Sequence, residues 1–169
     1  MTPERSVEGE RVRLRAFVPD DAEFYRQIVN MPEVIRLADR HDHVGAVAHR
    51  EWCQQMCMAE DVWFWAVEQS GGGFLGAVWL WYIRDKVAEI RIILGPPWGQ
   101  GYGKEALRLL VGDAFAHGFD KLYAYVLEIN PRAKTAFEAA GFEIEATLRA
   151  ERILEGRPVD VWRLAIWRQ

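Results

Sequence analysis

The chain has 169 residues, enough for one domain with a full hydrophobic core and short for two. Half the residues are apolar, 27% are charged and the net charge is −4, without the basic footprint that nucleic-acid binding needs. No apolar run approaches the roughly 20 residues that span a bilayer. The charged N-terminus, MTPERSVEGERVRLRAF, has no signal-peptide core, so the expected location is cytoplasmic, with no membrane partner.

Residues 11–17 alternate Val12, Leu14 and Ala16 with arginines, the period of a half-buried strand. Pro19 and Asp20 open a helix, with Asp20 as cap, Glu23 three residues later, and Phe24, Tyr25, Ile28 and Val29 on its apolar face. After Pro32 the chain turns, and a second helix is predicted over about 47–58. It carries Cys53 and Cys57 on one face, read as reduced packing thiols. DVWFWAVEQ, FLGAVWLWYIRD and KVAEIRIILG follow as three β-rich runs on short connections, an antiparallel meander.

PPWGQGYGKEA comes next, with Gly99, Gly101 and Gly103 at every second position, then a helix over about 101–117. KLYAYVLE is a strand. Asn130 and Pro131 start a short helix that Gly141 ends. TLRAERILEGRPVDVWRLAIW reads as a hairpin turning at Glu155 and Gly156. With one β-α-β crossover, the pattern is α+β or mixed α/β.

Three phosphate-binding readings compete for the glycine loop. A Walker-type loop fails, because Gly103-Lys104 is followed by Glu105 rather than a hydroxyl residue, and Trp98 stands where its first glycine belongs. A dinucleotide fingerprint can be laid on Gly101, Gly103 and Ala106, with Glu128 as the ribose acid. That reading, a nicotinamide-dependent oxidoreductase, wants several β-α-β units where the chain has one.

The third reading rests on two segments. PPWGQGYGKEALRLL resembles the cofactor motif of the GNAT N-acetyltransferases, R/Q-x-x-G-x-G/A, and NPRAKTAFEAAGFE resembles their second motif. The resemblance runs from the first strand to the last hairpin. It is closest to the branch holding ribosomal-protein N-terminal acetyltransferases and spermidine acetyltransferases. It implies a single GNAT domain over residues 1–169, with a mixed, mostly antiparallel sheet of about seven strands and about four helices.

The resemblance further implies acetyl transfer from acetyl-CoA to a primary amine by direct attack, the acceptor being a protein N-terminus, a polyamine or another small amine. Backbone groups of Ile92, Ile93 and Leu94 would pair with pantetheine. Gln100, Gly101, Tyr102, Gly103 and Lys104 would hold the pyrophosphate at a helix start. Asn130 would touch the CoA arm, and a homodimer is compatible. Trp98 departs from the first motif position, and Phe137 stands where many members place a tyrosine acid. Phe137 is the feature that favours the alternative of a non-catalytic acyl-CoA sensor.

Other residues carry open readings. Glu89 and Arg91 share a strand face, so Glu89 is either the general base, acting through water, or half of an ion pair. Trp63 with Trp65, and Trp79 with Trp81, line an acceptor pocket or form core or a dimer surface. Glu33, Asp39, Asp42 and Glu51 put negative charge beside the implied acceptor site. Arg132 and Lys134 touch the nucleotide or are simply solvated. His41-Asp42-His43 is read as surface, and no metal is expected. Neither cysteine has a base beside it in sequence, so no acyl-thiol route is expected.

Overall fold

The computed structural model describes residues 6–38 and 42–169. Strands β1 (Val7–Glu8) and β2 (Val12–Ala16) lead through a 3-10 turn (Pro19–Asp21) into helices α1 (Ala22–Val29), α2 (Pro32–Leu37) and α3 (Ala46–Met58). Then come β3 (Trp63–Gln69), β4 (Phe74–Arg84), β5 (Val87–Leu94), α4 (Tyr102–Ala116), β6 (Lys121–Leu127), α5 (Pro131–Ala139), β7 (Glu143–Leu154) and β8 (Arg157–Trp167). The eight strands found among the described residues form one sheet in the order β1-β2-β3-β4-β5-β6-β8-β7. Every neighbouring pair is antiparallel except β5 and β6.

Strand alternation divides the apolar residues between two layers. Leu14, Trp65, Val78, Leu80, Ala88 and Ile90 face a core completed by Leu107, Leu110 and Ala114 of α4 and by Phe137 of α5. Phe64, Ala66, Ala77 and Trp79 face the opposite way, onto Tyr25 and Val29 of α1 and Cys53 and Met56 of α3. Glu89 and Arg91 share this second face.

Four differences from the sequence reading have local causes. The sheet gains β1, which is two residues long and held by pairing to β2, too short for periodicity to register. Helix α2 forms with Pro32 in its first turn, where a missing N–H costs nothing. Asp21, not Asp20, organises the entry to α1: its carboxylate accepts the Val18 N–H at 3.0 Å and pairs with the Arg15 guanidinium at 2.7 Å. Trp63 and Trp65 fall on the α4 layer, where Trp63 packs on Phe119, whereas Trp79 falls on the α1 layer. The hairpin turn at Glu155-Gly156 is as expected, both residues having positive φ.

Gly76, on β4 opposite Leu94, has a φ of 146°, and a Cβ there would lie 2.2 Å from the Ile93 carbonyl oxygen. That atom is backbone and cannot rotate away. Gly76→Ala should therefore destabilise the protein by about 2–4 kcal/mol, lowering the urea midpoint and leaving the slope unchanged. An unchanged midpoint would mean that the β4–β5 pairing adjusts freely.

Candidate active site

β5 and β6 pair for only three residues, Val87 with Lys121, Ala88 with Leu122 and Glu89 with Tyr123. Beyond Glu89 the strands part, and the edge of β5 that faces β6 has no strand partner up to Leu94. The other edge stays bonded to β4. A cavity of about 930 Å³ occupies the opening. Its walls include Ile92, Ile93 and Leu94 of β5, Tyr125 to Leu127 of β6, residues 99–104 of the glycine loop, and Asn130 and Phe137 beside α5. The carboxyl ends of parallel strands are where open α/β sheets bind their ligands.

The glycine loop ends at Gly101, the residue before α4, which has a φ of 81°. The N–H groups of Gly101 to Lys104 open the helix and have no hydrogen-bond partner among the described residues, the arrangement that receives an anion. Arg11 holds the loop in shape. Its guanidinium donates to the Gln100 carbonyl at 2.6 Å, and Glu105 accepts the backbone N–H groups of Arg11 and Val12 at 2.8 and 3.3 Å. A Cβ on Gly101 would meet Arg11 Nη2 at 2.8 Å, whereas one on Gly103 would find nothing nearer than 3.7 Å. Gly101 is thus required by the fold, whereas a Cβ at Gly103 would only make ordinary contact with Leu94 and Ile92. Trp98 turns inward, donating its indole N–H to the Leu94 carbonyl at 2.8 Å, and carries Arg132 on its ring at 4.5 Å.

Asn130 accepts the Ala133 N–H at 3.1 Å, the expected cap, and its amide reaches the Leu37 carbonyl at 3.4 Å. Arg132 pairs with Glu33 at 2.9 Å. Two contacts therefore tie α5 to α2 across the cavity. Lys134 instead pairs with Glu138 on its own helix.

On the α1 side the wall holds Tyr25, Trp52, Trp79, Trp81 and Arg91. Glu89 is 4% exposed and is absent from the cavity wall; its carboxylate accepts from Arg91 Nε at 2.6 Å. Burial raises the Tyr123 hydroxyl above its ordinary range, and the nearby Glu89 charge adds to this. Of the acidic residues expected beside the acceptor, Glu33 lines the cavity, Asp42 and Glu51 do not, and Asp39 lies outside the described residues, as does His41.

α3 places a base beside a cysteine after all, which the i, i+4 spacing of His49 and Cys53 foretold. Their side chains stand 3.7 Å apart. Burial pushes the Cys53 thiol up to about 12, and neither residue lines the cavity, so the pair is not an activated nucleophile. Glu128 accepts the Asp160 N–H at 2.9 Å and is also off the cavity wall, which removes the ribose acid of the dinucleotide reading.

This crevice, with its anion-ready loop, is lined mostly by residues within 11–143, which match the acetyltransferase (GNAT) domain family, to which the chain belongs. The chain is 33% identical over 107 residues to the spermidine N(1)-acetyltransferase of Vibrio cholerae serotype O1, a match spanning 59% of this chain and 60% of that protein. Its fold is similar to the crystal structure of Vibrio cholerae spermidine N-acetyltransferase in complex with CoA and spermine. The TM-score is 0.85 at 24% identity, covering 92% of this chain and 95% of that one. A Bacillus anthracis acetyltransferase of the same family superposes with a TM-score of 0.84 at 16% identity, covering 96% and 98%.

Two outcomes test the loop. Gly101→Ala should lower stability by about 1–3 kcal/mol through its φ and the Arg11 contact, whereas Gly103→Ala should melt near wild type. Burial raises the Glu105 carboxyl, but the bonds from Arg11 and Val12 outweigh it and hold the group below its ordinary 4.5. A depressed carboxyl stabilises above its unfolded pKa and loses that contribution as pH falls through the folded value. The stability gap between wild type and Glu105→Gln should thus shrink as pH falls below the ordinary carboxylate range. A gap constant with pH would show that the charge contributes nothing.

Proposed function

We propose that the chain acts as one domain over residues 1–169 and moves an acetyl group from acetyl-CoA to a primary amine. The observation that carries this reading is the unpaired edge of β5 running into a loop whose four N–H groups await an anion. The family membership and the similarity to spermidine acetyltransferases support it. Acetyl-CoA supplies a thioester, the activated acyl group. The amine nitrogen bonds to the carbonyl carbon, the carbon–sulfur bond breaks, the thiolate takes up a proton, and the ammonium proton leaves to solvent.

In this reading the N–H groups of Gly101 to Lys104 and the helix dipole hold the pyrophosphate, with Gln100 shaped for the turn by Arg11. The backbone of Ile92 to Leu94 aligns the acyl arm and offers a donor to the thioester oxygen. Asn130 borders the same arm. Phe137, buried against Phe142 at 5.0 Å between ring centres, has no proton to give. Water serves for the thiolate, whose ordinary pKa of about 8.5 makes it a fair leaving group. We assign Glu89 as a positioning residue: it acts through Arg91, because the guanidinium rather than the carboxylate reaches the cavity. A cytoplasmic setting would keep both thiols reduced.

At a hundredfold excess over its dissociation constant, acetyl-CoA should stabilise by about 2.7 kcal/mol and raise the melting temperature by roughly 5–10 °C, with no response to NADH. Gly103→Val should fold and lose at least tenfold in CoA affinity. CoA release should depend on added amine; binding without release across a broad amine panel would favour the sensor reading. Glu89→Gln should raise the amine KM at least tenfold and leave CoA affinity in place. A fall in kcat at constant KM, with the pH profile altered, would return Glu89 to the role of base.

A further inference from the structure

The acceptor side of the cavity carries the wrong sign for a polycation. Arg91 lines it with 47% of its side chain exposed. Its Nε is held by the buried Glu89 carboxylate, and its guanidinium stacks 4.7 Å from the centre of the Trp81 ring. Among the described residues, neither of its terminal nitrogens has a hydrogen-bond partner. A guanidinium oriented by a carboxylate behind it and an aromatic face beside it is a prepared fork for a carboxylate in front.

The neighbouring groups are donors as well. Trp79 and Trp81 stand on the same wall, and their buried indole N–H groups have no partner. Trp65 has the same orphaned donor away from the cavity, so the guanidinium, not the indoles alone, sets the sign. The carboxylates on the wall are Glu33 and Glu151, each already in an ion pair, with Arg132 at 2.9 Å and with Arg152 at 3.3 Å. An incoming ammonium that sought the face of Trp81 would meet Arg91 there.

The proton inventory points the same way. Among the described residues no histidine lines the cavity, and neither carboxylate on its wall is unpaired. An alkylammonium has a pKa of about 10 and a peptide α-ammonium one of about 8. Near pH 8 about half of the second is already neutral, against about one part in a hundred of the first. A site without a free base is better matched to a peptide α-amine than to an alkylamine.

We propose that the acceptor is an α-amino compound bearing a carboxylate, an amino acid or a short peptide. The Arg91 fork binds its carboxylate, while its amine faces the thioester. This rests on the acetyl-transfer reading and follows the same bond changes. The acceptor's neutral nitrogen takes the acetyl group, and its proton goes to solvent.

CoA release is measured with alanyl-phenylalanine and its C-terminal amide, with phenylalanine and its amide, and with spermidine. At least one acid should exceed its own amide by tenfold or more in kcat/KM, and which one does so names the source. That acid should also outrun spermidine. Arg91→Gln should cut the acid-to-amide ratio at least tenfold, and Arg91→Lys should retain part of it. Equal rates for acids and amides, or a spermidine rate above both acids, would overturn the proposal. Calorimetric titration of each acid into CoA-saturated protein separates the two readings. If no amine releases CoA, the transfer reading fails, while acid binding abolished by Arg91→Gln would still support the carboxylate site. No binding of either acid would overturn it.

Discussion

The site depends on a parallel pairing that stops early. β5 and β6 are joined through Glu89 and Tyr123 and then separate, because β6 turns its other edge to β8 while β5 stays bonded to β4. The open edge becomes the wall of a cavity, where Ile92, Ile93 and Leu94 are half-buried. The α4 crossover required by a parallel pair then delivers the start of that helix to the mouth of the same opening. The anion-ready helix start and the open strand edge are two results of one topological choice.

The two faces of the sheet divide the work. The α4 layer is mainly aliphatic around Leu80, Ile90, Leu107 and Leu110, with Trp65, Phe119, Phe137 and Phe142 set into it, and it packs behind the loop. The α1 layer is aromatic, with Tyr25, Trp52, Phe64 and Trp79 in mutual edge and stacked contacts, and it forms one wall of the cavity. Charge enters the second layer only where it is tied down. Arg15 is held between Asp21 and Glu68, and Arg91 between Glu89 and Trp81. Such paired groups keep one geometry, which is what recognition of a small acceptor requires.

Much of this was legible in the sequence, because the decisive signals are local. Glycines at alternate positions before an apolar helix, Asn-Pro at a helix start, and the Glu-Gly turn each encode their own backbone geometry. The strand face shared by Glu89 and Arg91 was equally readable, but not which of the two would reach the cavity, since that depends on how each side chain packs against β4. The separation of Trp63 and Trp65 from Trp79 was hidden for a related reason. Alternation gives two faces and does not say which helices cover each. Helix α2 and strand β1 were missed because neither is long enough for its period to show. Arg11 looked like one arginine in an alternating strand; its reach to Gln100 is a tertiary contact with no sequence signal.

That reach has a reciprocal side. The start of β2 and the glycine loop share the Arg11 and Glu105 bonds, so any ligand that favours the formed loop must, by linkage, favour the docked start of β2 to the same degree. An anion held at the start of α4 would thereby be reported in the amide hydrogen exchange of Arg11 and Val12, some ninety residues away in the sequence. The first strands of the fold behave as a slow clock hand for what the crevice holds.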